Sequence, residues 1–311
     1  SYIRYVDTDN QSHWLFDSFL FLEIMDTGTG GANKMFAKGY NLESANQADW
    51  TKLIDYYFQS ETGIGALDAS VKEASAILGT PRQKRQIVIS IPEPIVYQHP
   101  EQASSSTKYW GKIDNQTLDF SNSADRIKAC KWYIDQVRAK FNEKNYQHVE
   151  LAGFYWLAEK ATDTRDILNA VAIYLNKLKY SFNWIPYYGA DGYNQWKSLG
   201  FNYAYFQPNY FFNESVPDSR LEDACQKALT YDMHMELEFD DNALNSRGKA
   251  YRLKNYMSAF KKHGIWEKKR LAYYQGSASL LTLKKSGNAA DTQLYHEFCN
   301  FVISRPIRSS H

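Results

Sequence analysis

Two segments of this sequence that read as β-strands end in carboxylates, and those carboxylates are the residues best suited to chemistry. Residues 151–159 run through Gly153, Tyr155 and Leu157 to Glu159, and residues 233–241 carry Glu236, Glu238, Asp240 and Asp241. Side chains alternate along an extended segment, so His234, Glu236, Glu238 and Asp240 share one side, and Met235, Leu237 and Phe239 the other. The apolar set demands a packed layer, which turns the acids inward. Glu238 and Asp240 then lie nearest the C-terminal end, with Glu236 roughly 6.6 Å deeper. Three inward acids on one strand are costly without cations, hydrogen bonds or raised pKa values, a cost most easily understood at a functional site. Glycoside hydrolysis uses such groups: one carboxylic acid protonates the departing oxygen, and a second carboxylate attacks the sugar or activates water. By position, Glu159 suits the general acid/base and Glu238 the nucleophile or base. Plainer roles stand beside these. Glu159 would be a solvated loop residue next to Lys160, Glu236 half of a buried ion pair with a residue such as Arg4, and Asp240 and Asp241 caps for the following turn.

The elements that must position these acids are legible as short apolar runs, most followed by helical periodicity, the pattern of βα units around a parallel sheet. Eight runs are expected as strands: residues 3–7, 16–22, 86–92, 149–157, 182–188, 203–207, 234–239 and 271–275. They predict an α/β fold, a single (β/α)8 TIM-type barrel over residues 1–311, with Glu159 after strand four and Glu238 ending strand seven. Active sites of such barrels lie at the C-terminal ends of the strands. Helix starts are expected at residues 121–125, 162–163 and 217–219, where Ser, Thr, Asn and Asp cluster. In the first of these helices Ile127, Cys130, Ile134, Val137 and Phe141 form the stripe for the sheet, leaving Arg126, Lys128, Lys131 and Lys140 solvated. The first two strands are too close for a helix between them. The connections after strands two and three are long. The first is expected to hold helices over 50–58 and 66–78, and the second carries residues 104–110, read as an exposed cleft wall that includes Trp110.

The remaining strand ends bring Asp17, Glu93, Tyr187, Tyr188, Gln207, Asn209, Tyr210, Tyr273, Gln275 and Ser277 toward the same mouth. Amides, hydroxyls and rings around two acids resemble a sugar subsite. The expected substrate contacts are Tyr155, Tyr187, Gln207, Asn209, Glu236, Asp240, Tyr273, Gln275 and Trp110. Pro186 and Pro208 also allow Tyr187 and Asn209 to be simple turn residues.

Composition narrows the alternatives. The 311 residues carry 36 basic and 35 acidic side chains, a net charge of +1, which gives no footprint for nucleic acid. The most apolar stretch, 16–25, contains Asp17 and Glu23 and is too short to span a bilayer. Cys130, Cys225 and Cys299 are too far apart for a zinc site or a disulfide framework, and buried free thiols are expected. Gly28 to Gly31 with Asn33 and Lys34 lacks the Gly-Lys-Ser/Thr ending of a phosphate loop. His234 and Glu236 are only a two-ligand hint of a metal, so no metal and no cofactor are implied. Aromatic residues make up 16% of the chain and suit either sugar stacking or a ring-rich core.

The strings Phe154-Tyr155-Trp156, Trp184-Ile185-Pro186-Tyr187-Tyr188, Trp196-Lys197-Ser198-Leu199-Gly200-Phe201, Gln207-Pro208-Asn209-Tyr210 and Glu236-Leu237-Glu238-Phe239-Asp240 resemble the bacterial domain-of-unknown-function 4855 family over nearly the whole chain. That resemblance implies a secreted, periplasmic or cell-surface protein of glycan-degrading bacteria. More distantly, the layout is similar to clan A glycosidases, whose acid follows strand four and whose nucleophile ends strand seven. Glu159 and Glu238 map to those roles, although Ala158 stands where that clan usually has Asn before the acid. The expected function is therefore hydrolysis of a poly- or oligosaccharide. A carbohydrate-binding protein on the same scaffold, without cleavage, is the alternative.

Overall fold

The computed structural model describes residues 2–26, 33–276 and 278–306. A hairpin of β1 (Arg4–Val6) and β2 (Ser12–Trp14) precedes β3 (Ser18–Phe21). A small sheet follows, made by β4 (Met25–Asp26), β5 (Lys34–Met35) and β6 (Glu43–Ser44). After it come β7 (Arg85–Ile91), the short pair β8 (Lys112–Ile113) and β9 (Gln116–Thr117), and then β10 (Val149–Trp156), β11 (Ser181–Trp184), β12 (Tyr203–Phe206), β13 (His234–Glu238) and β14 (Leu271–Tyr274). Seven of these strands, in the order β3-β7-β10-β11-β12-β13-β14, form one curled sheet in which every pairing is parallel. Among the described residues β3 and β14 are its two edges.

The first expected strand, residues 3–7, is not part of that sheet. Asp7 accepts the backbone N–H groups of Asp9 (2.9 Å) and Gln11 (2.7 Å), which turns the chain back so that β1 pairs antiparallel with β2. Alternation of side chains is the same in a hairpin arm and a barrel strand, so the run alone does not separate them. The acids consequently end the third and sixth strands of the sheet, and the expected separation of three strands is kept.

Helices α1 (Gln47–Tyr57) and α2 (Ile64–Leu78) lie in the long connection after β3, close to where periodicity predicts them. Asn46 caps α1 through a reciprocal pair with Asp49, so the helix begins before the expected residue 50. Then come α3 (Ser123–Lys144), α4 (Arg165–Lys177), α5 (Ser219–Thr230), α6 (Ala250–Lys262), α7 (Ile265–Lys268), α8 (Ser279–Lys285) and α9 (Ala289–Ile303). Cys130, Ile134 and Val137 of α3 are fully buried, as their stripe requires, and the three cysteines are buried and free. Arg126 corrects its expected solvation: it is buried, paired with Asp166, and donates to the Asp163 carbonyl at 3.0 Å. A guanidinium with partners on two sides can be enclosed where an unpaired one cannot.

Trp110 is likewise no cleft wall. It is 1% exposed, stacked on Phe120 at 5.5 Å and edge-on to Trp50 at 5.2 Å and Trp132 at 5.5 Å, so its ring is core between the long loop, α1 and α3. The hairpin is anchored at the other end of the chain. The Tyr5 hydroxyl bonds Nδ1 of His296 at 2.8 Å, and its ring meets Tyr295, both on α9.

Candidate functional site

A cavity of 2160 Å³ runs along the sheet, from Arg85 and Arg270 at the N-terminal ends of β7 and β14 to the C-terminal ends of the strands. Each strand of that mouth contributes its end: Glu93 beyond β7, Glu159 beyond β10, Tyr187 beyond β11, Gln207 and Asn209 beyond β12, Glu236 from β13, and Tyr274 and Gln275 from β14 and its exit. Tyr155 and Asn183 line it deeper in the sheet, and Tyr187 and Gln207 pair as an isolated parallel bridge that extends β11 and β12. Of the expected contacts, Tyr155, Tyr187, Gln207, Asn209, Glu236, Tyr273 and Gln275 all line this cavity, together with Glu159. Trp110, Asp240 and Glu238 are not among its lining residues.

The absences have different causes. Asp240 caps the turn after β13, accepting the backbone N–H of Asn242 at 2.7 Å and its side-chain amide at 2.9 Å. Glu238 is fully buried just behind the wall. Its Oε2 accepts the Asn209 backbone N–H at 2.8 Å and the Tyr256 hydroxyl, while Gln207 donates to the same carboxylate from the cavity side. Oε1 of Glu238 has no partner. The backbone of Asn209 is left-handed, with φ of 51°, and this brings its N–H onto Glu238.

Electrostatics separate the three acids. Burial raises the Glu238 pKa overall, and hydrogen bonds from Tyr256, Gln207 and the backbone of Asn209 and Tyr210 offset part of that rise by favouring the ionised form. Glu159, partly buried, is pushed up to about 7, first by burial and then by the charge of Glu238. Glu236 is 5% exposed and raised well above the ordinary carboxylate range by burial, then by Glu238 and Glu159. It has no hydrogen bond or ion pair among the described residues, so the expected pairing with Arg4 is not made. Glu93 is also pushed up to about 7 by burial, although its Oε2 accepts the Lys38 N–H at 2.7 Å.

His234 takes a quiet role. Its Nδ1 accepts the Arg270 N–H at 3.2 Å, and burial and the Arg270 charge hold its pKa down at about 4. Among the described residues no group of three or more His, Cys, Asp or Glu side chains is arranged for a metal. Gly28 to Gly31 and Ser277 lie outside the described residues.

Several cavity residues escape sequence reasoning. Tyr274 is 44% exposed and stands edge-on to Phe212 at 6.0 Å, and both line the cavity with Lys38 and Tyr40. Its neighbour Tyr273 instead rests its ring on Phe16 (5.4 Å) and on Phe298 of α9 (5.6 Å). Alternation along β14 carries a signal for Tyr274 if the apolar partner of Tyr273 is known. Phe212, Lys38 and Tyr40 sit in loops without periodicity and offer none. Tyr188 and Tyr210 turn away toward α5, bonding Asp223 and Asp218.

This chain belongs to the family described as Domain of unknown function (DUF4855), whose profile matches residues 1–300. No curated protein matches it. Among solved structures it is similar to a candidate alpha-L-fucosidase from Bacteroides thetaiotaomicron, with 14% identity, a TM-score of 0.50, and coverage of 93% of this chain and 95% of that one. It is also similar to a family 18 chitinase from Crocus vernus, with 10% identity, a TM-score of 0.45, and coverage of 91% and 89%. A family GH18 chitinase catalytic domain from the fern Peteris ryukyuensis matches with 12% identity, a TM-score of 0.40, and coverage of 76% and 79%. The likeness to the Bacteroides protein is one of fold, which in this chain is the curled sheet of seven parallel strands. No helix among the described residues is long and apolar enough to cross a membrane.

Proposed function

We propose that this DUF4855 member is a glycoside hydrolase that cleaves an oligo- or polysaccharide in the cavity, with Glu159 as proton donor and Glu238 as its carboxylate partner. The observation that carries this is Glu159 itself: a cavity-lining carboxyl at a strand end, raised to about 7 by burial and by the charge of Glu238. Burial raises both acids, but only Glu238 has hydrogen-bond donors that favour its ionised form, which suits Glu159 to the donor's part and Glu238 to the anion's. Glu238 has donors on Oε2 and leaves its buried Oε1 without a partner, so its part is to supply negative charge from just behind the cavity wall. Action outside the cytoplasm, implied by the family resemblance, is part of the same proposal.

One observation favours a second reading. Glu238 is fully enclosed and meets the cavity through Gln207, so it also suits a support that fixes Gln207 and Asn209 in a protein that binds glycan without cutting it. A screen of glycans for both reducing-end release and binding separates the two. Hydrolysis predicts release that falls by about 10² to 10⁴-fold in Glu159→Gln and Glu238→Gln, with binding retained. Retained glycan with no release from any substrate supports the binding protein instead.

A further inference from the structure

At Glu236 the cavity wall offers acceptors without partners and no cation, although Arg4, Arg85 and Arg270 and the phenols of Tyr155, Tyr187 and Tyr274 line the same cavity elsewhere. Glu236 is nine-tenths buried, lines the cavity, and has no hydrogen bond or ion pair among the described residues. Burial and the neighbouring acids Glu238 and Glu159 hold its carboxyl above the ordinary range, and Glu159 is itself raised by burial and by Glu238. Lys38 is turned to Asp163 at 3.0 Å, and Lys38 and Lys160 act on Glu93. The amides sharpen the imbalance. Asn183 spends its amide N–H groups on the Phe154 carbonyl (3.1 Å) and the Ser181 hydroxyl (3.0 Å). Gln207 gives its amide N–H to Glu238, since a carboxylate only accepts, and its Oε1 is left buried without a partner. Gln207 lies one residue beyond Phe206, which pairs with Met235 in the register, so it stands beside Glu236 across the β12–β13 pair.

An uncharged sugar hydroxyl can bond one such acceptor, but it brings no counter-charge that would let the enclosed Glu236 ionise. A ligand that brings three N–H donors and a positive charge answers both deficits at once. We propose that the cavity selects an amino sugar, a glycan containing hexosamine whose amine is free and protonated, with the ammonium seated at Glu236 and Gln207. This rests on the carbohydrate reading of the site and adds the substrate class. An N-acetylated sugar loses both the charge and two of the donors, and so is disfavoured.

The test is calorimetric titration of the intact protein with glucosamine and galactosamine hexamers in β-1,4 and α-1,4 linkage, each beside its N-acetylated form, at pH 6. At least one free-amine hexamer is expected to bind about tenfold or more tightly than its acetylated counterpart, the scale of a charge-assisted contact. Glu236→Gln is expected to bring that hexamer down to the level of the acetylated one. Equal or tighter binding of every acetylated form, no measurable binding of any free-amine hexamer, or a preference that survives in Glu236→Gln overturns the proposal. Cleavage of a neutral glycan without amine preference removes the amino-sugar assignment and leaves the hydrolase. Tight amine-dependent binding without cleavage does the reverse.

Discussion

At the scale of single residues, the site depends on carboxyl groups kept away from their ordinary ionisation, and this couples function to stability. Glu93 makes the point most cleanly, because it is 6% exposed and its pKa stands at about 7 against 4.5 for a free side chain. Between those two values the folded protein holds a proton that the unfolded chain has lost. Its contribution to stability is therefore present at pH 4.5 and below, and is lost as the pH rises through 7, by up to about 3 kcal/mol. Glu93→Gln removes that slope while keeping an acceptor for the Lys38 N–H. In urea unfolding the variant should gain on the wild type at pH 8 and not at pH 5, and a gain that does not change with pH would show that Glu93 ionises normally. The acids were readable from the sequence because alternation and strand ends are local properties. Their division of labour was not, because it comes from Tyr256, Gln207 and the Asn209 backbone, contributed by other parts of the chain.

At the scale of elements, the position of Glu159 is set by the strand that precedes it. The pairing of β10 with β7 shifts register between Leu151 and Gly153, and Gly153 lies against β11 so closely that a Cβ there would stand 2.0 Å from the Ser181 hydroxyl and 2.5 Å from its carbonyl oxygen. Gly153→Ala must push β11 away from β10. It is expected to cost several kcal/mol, above the usual 1 to 3 for overpacking because the carbonyl cannot rotate aside, and to lower turnover by moving Glu159. Wild-type thermal stability in that variant would show that the close approach is dispensable. Helices α3, α4 and α5 were legible because apolar stripes are written locally, and of the three α3 alone has a side-chain cap, Asn122 accepting the Ala124 N–H at 3.0 Å. The hairpin arm Arg4–Val6 was misplaced because its partner is decided by the turn at Asp7 and by Tyr5 on α9. Trp110 was misplaced because polar neighbours in sequence suggest exposure, whereas Phe120 of the same connection and the more distant Trp50 of α1 and Trp132 of α3 enclose it.

At the scale of the whole molecule, seven parallel strands curl around one cavity, and the N-terminal hairpin rests on the last helix. The βα alternation foretold the parallel sheet, while the number of strands in it depended on the fate of a single short run. That Glu159 delivers a proton to a glycosidic oxygen is read out by the pH dependence of kcat/KM on a cleaved glycan. With a pKa of about 7 in the free protein, Glu159 is protonated below neutrality and loses its proton above it. The value of kcat/KM is expected to fall about tenfold per pH unit above pH 7, and this limb to disappear in Glu159→Gln along with about 10² to 10⁴-fold of the rate. A Glu159→Gln protein that turns over at the wild-type rate, with the same alkaline limb, would contradict it.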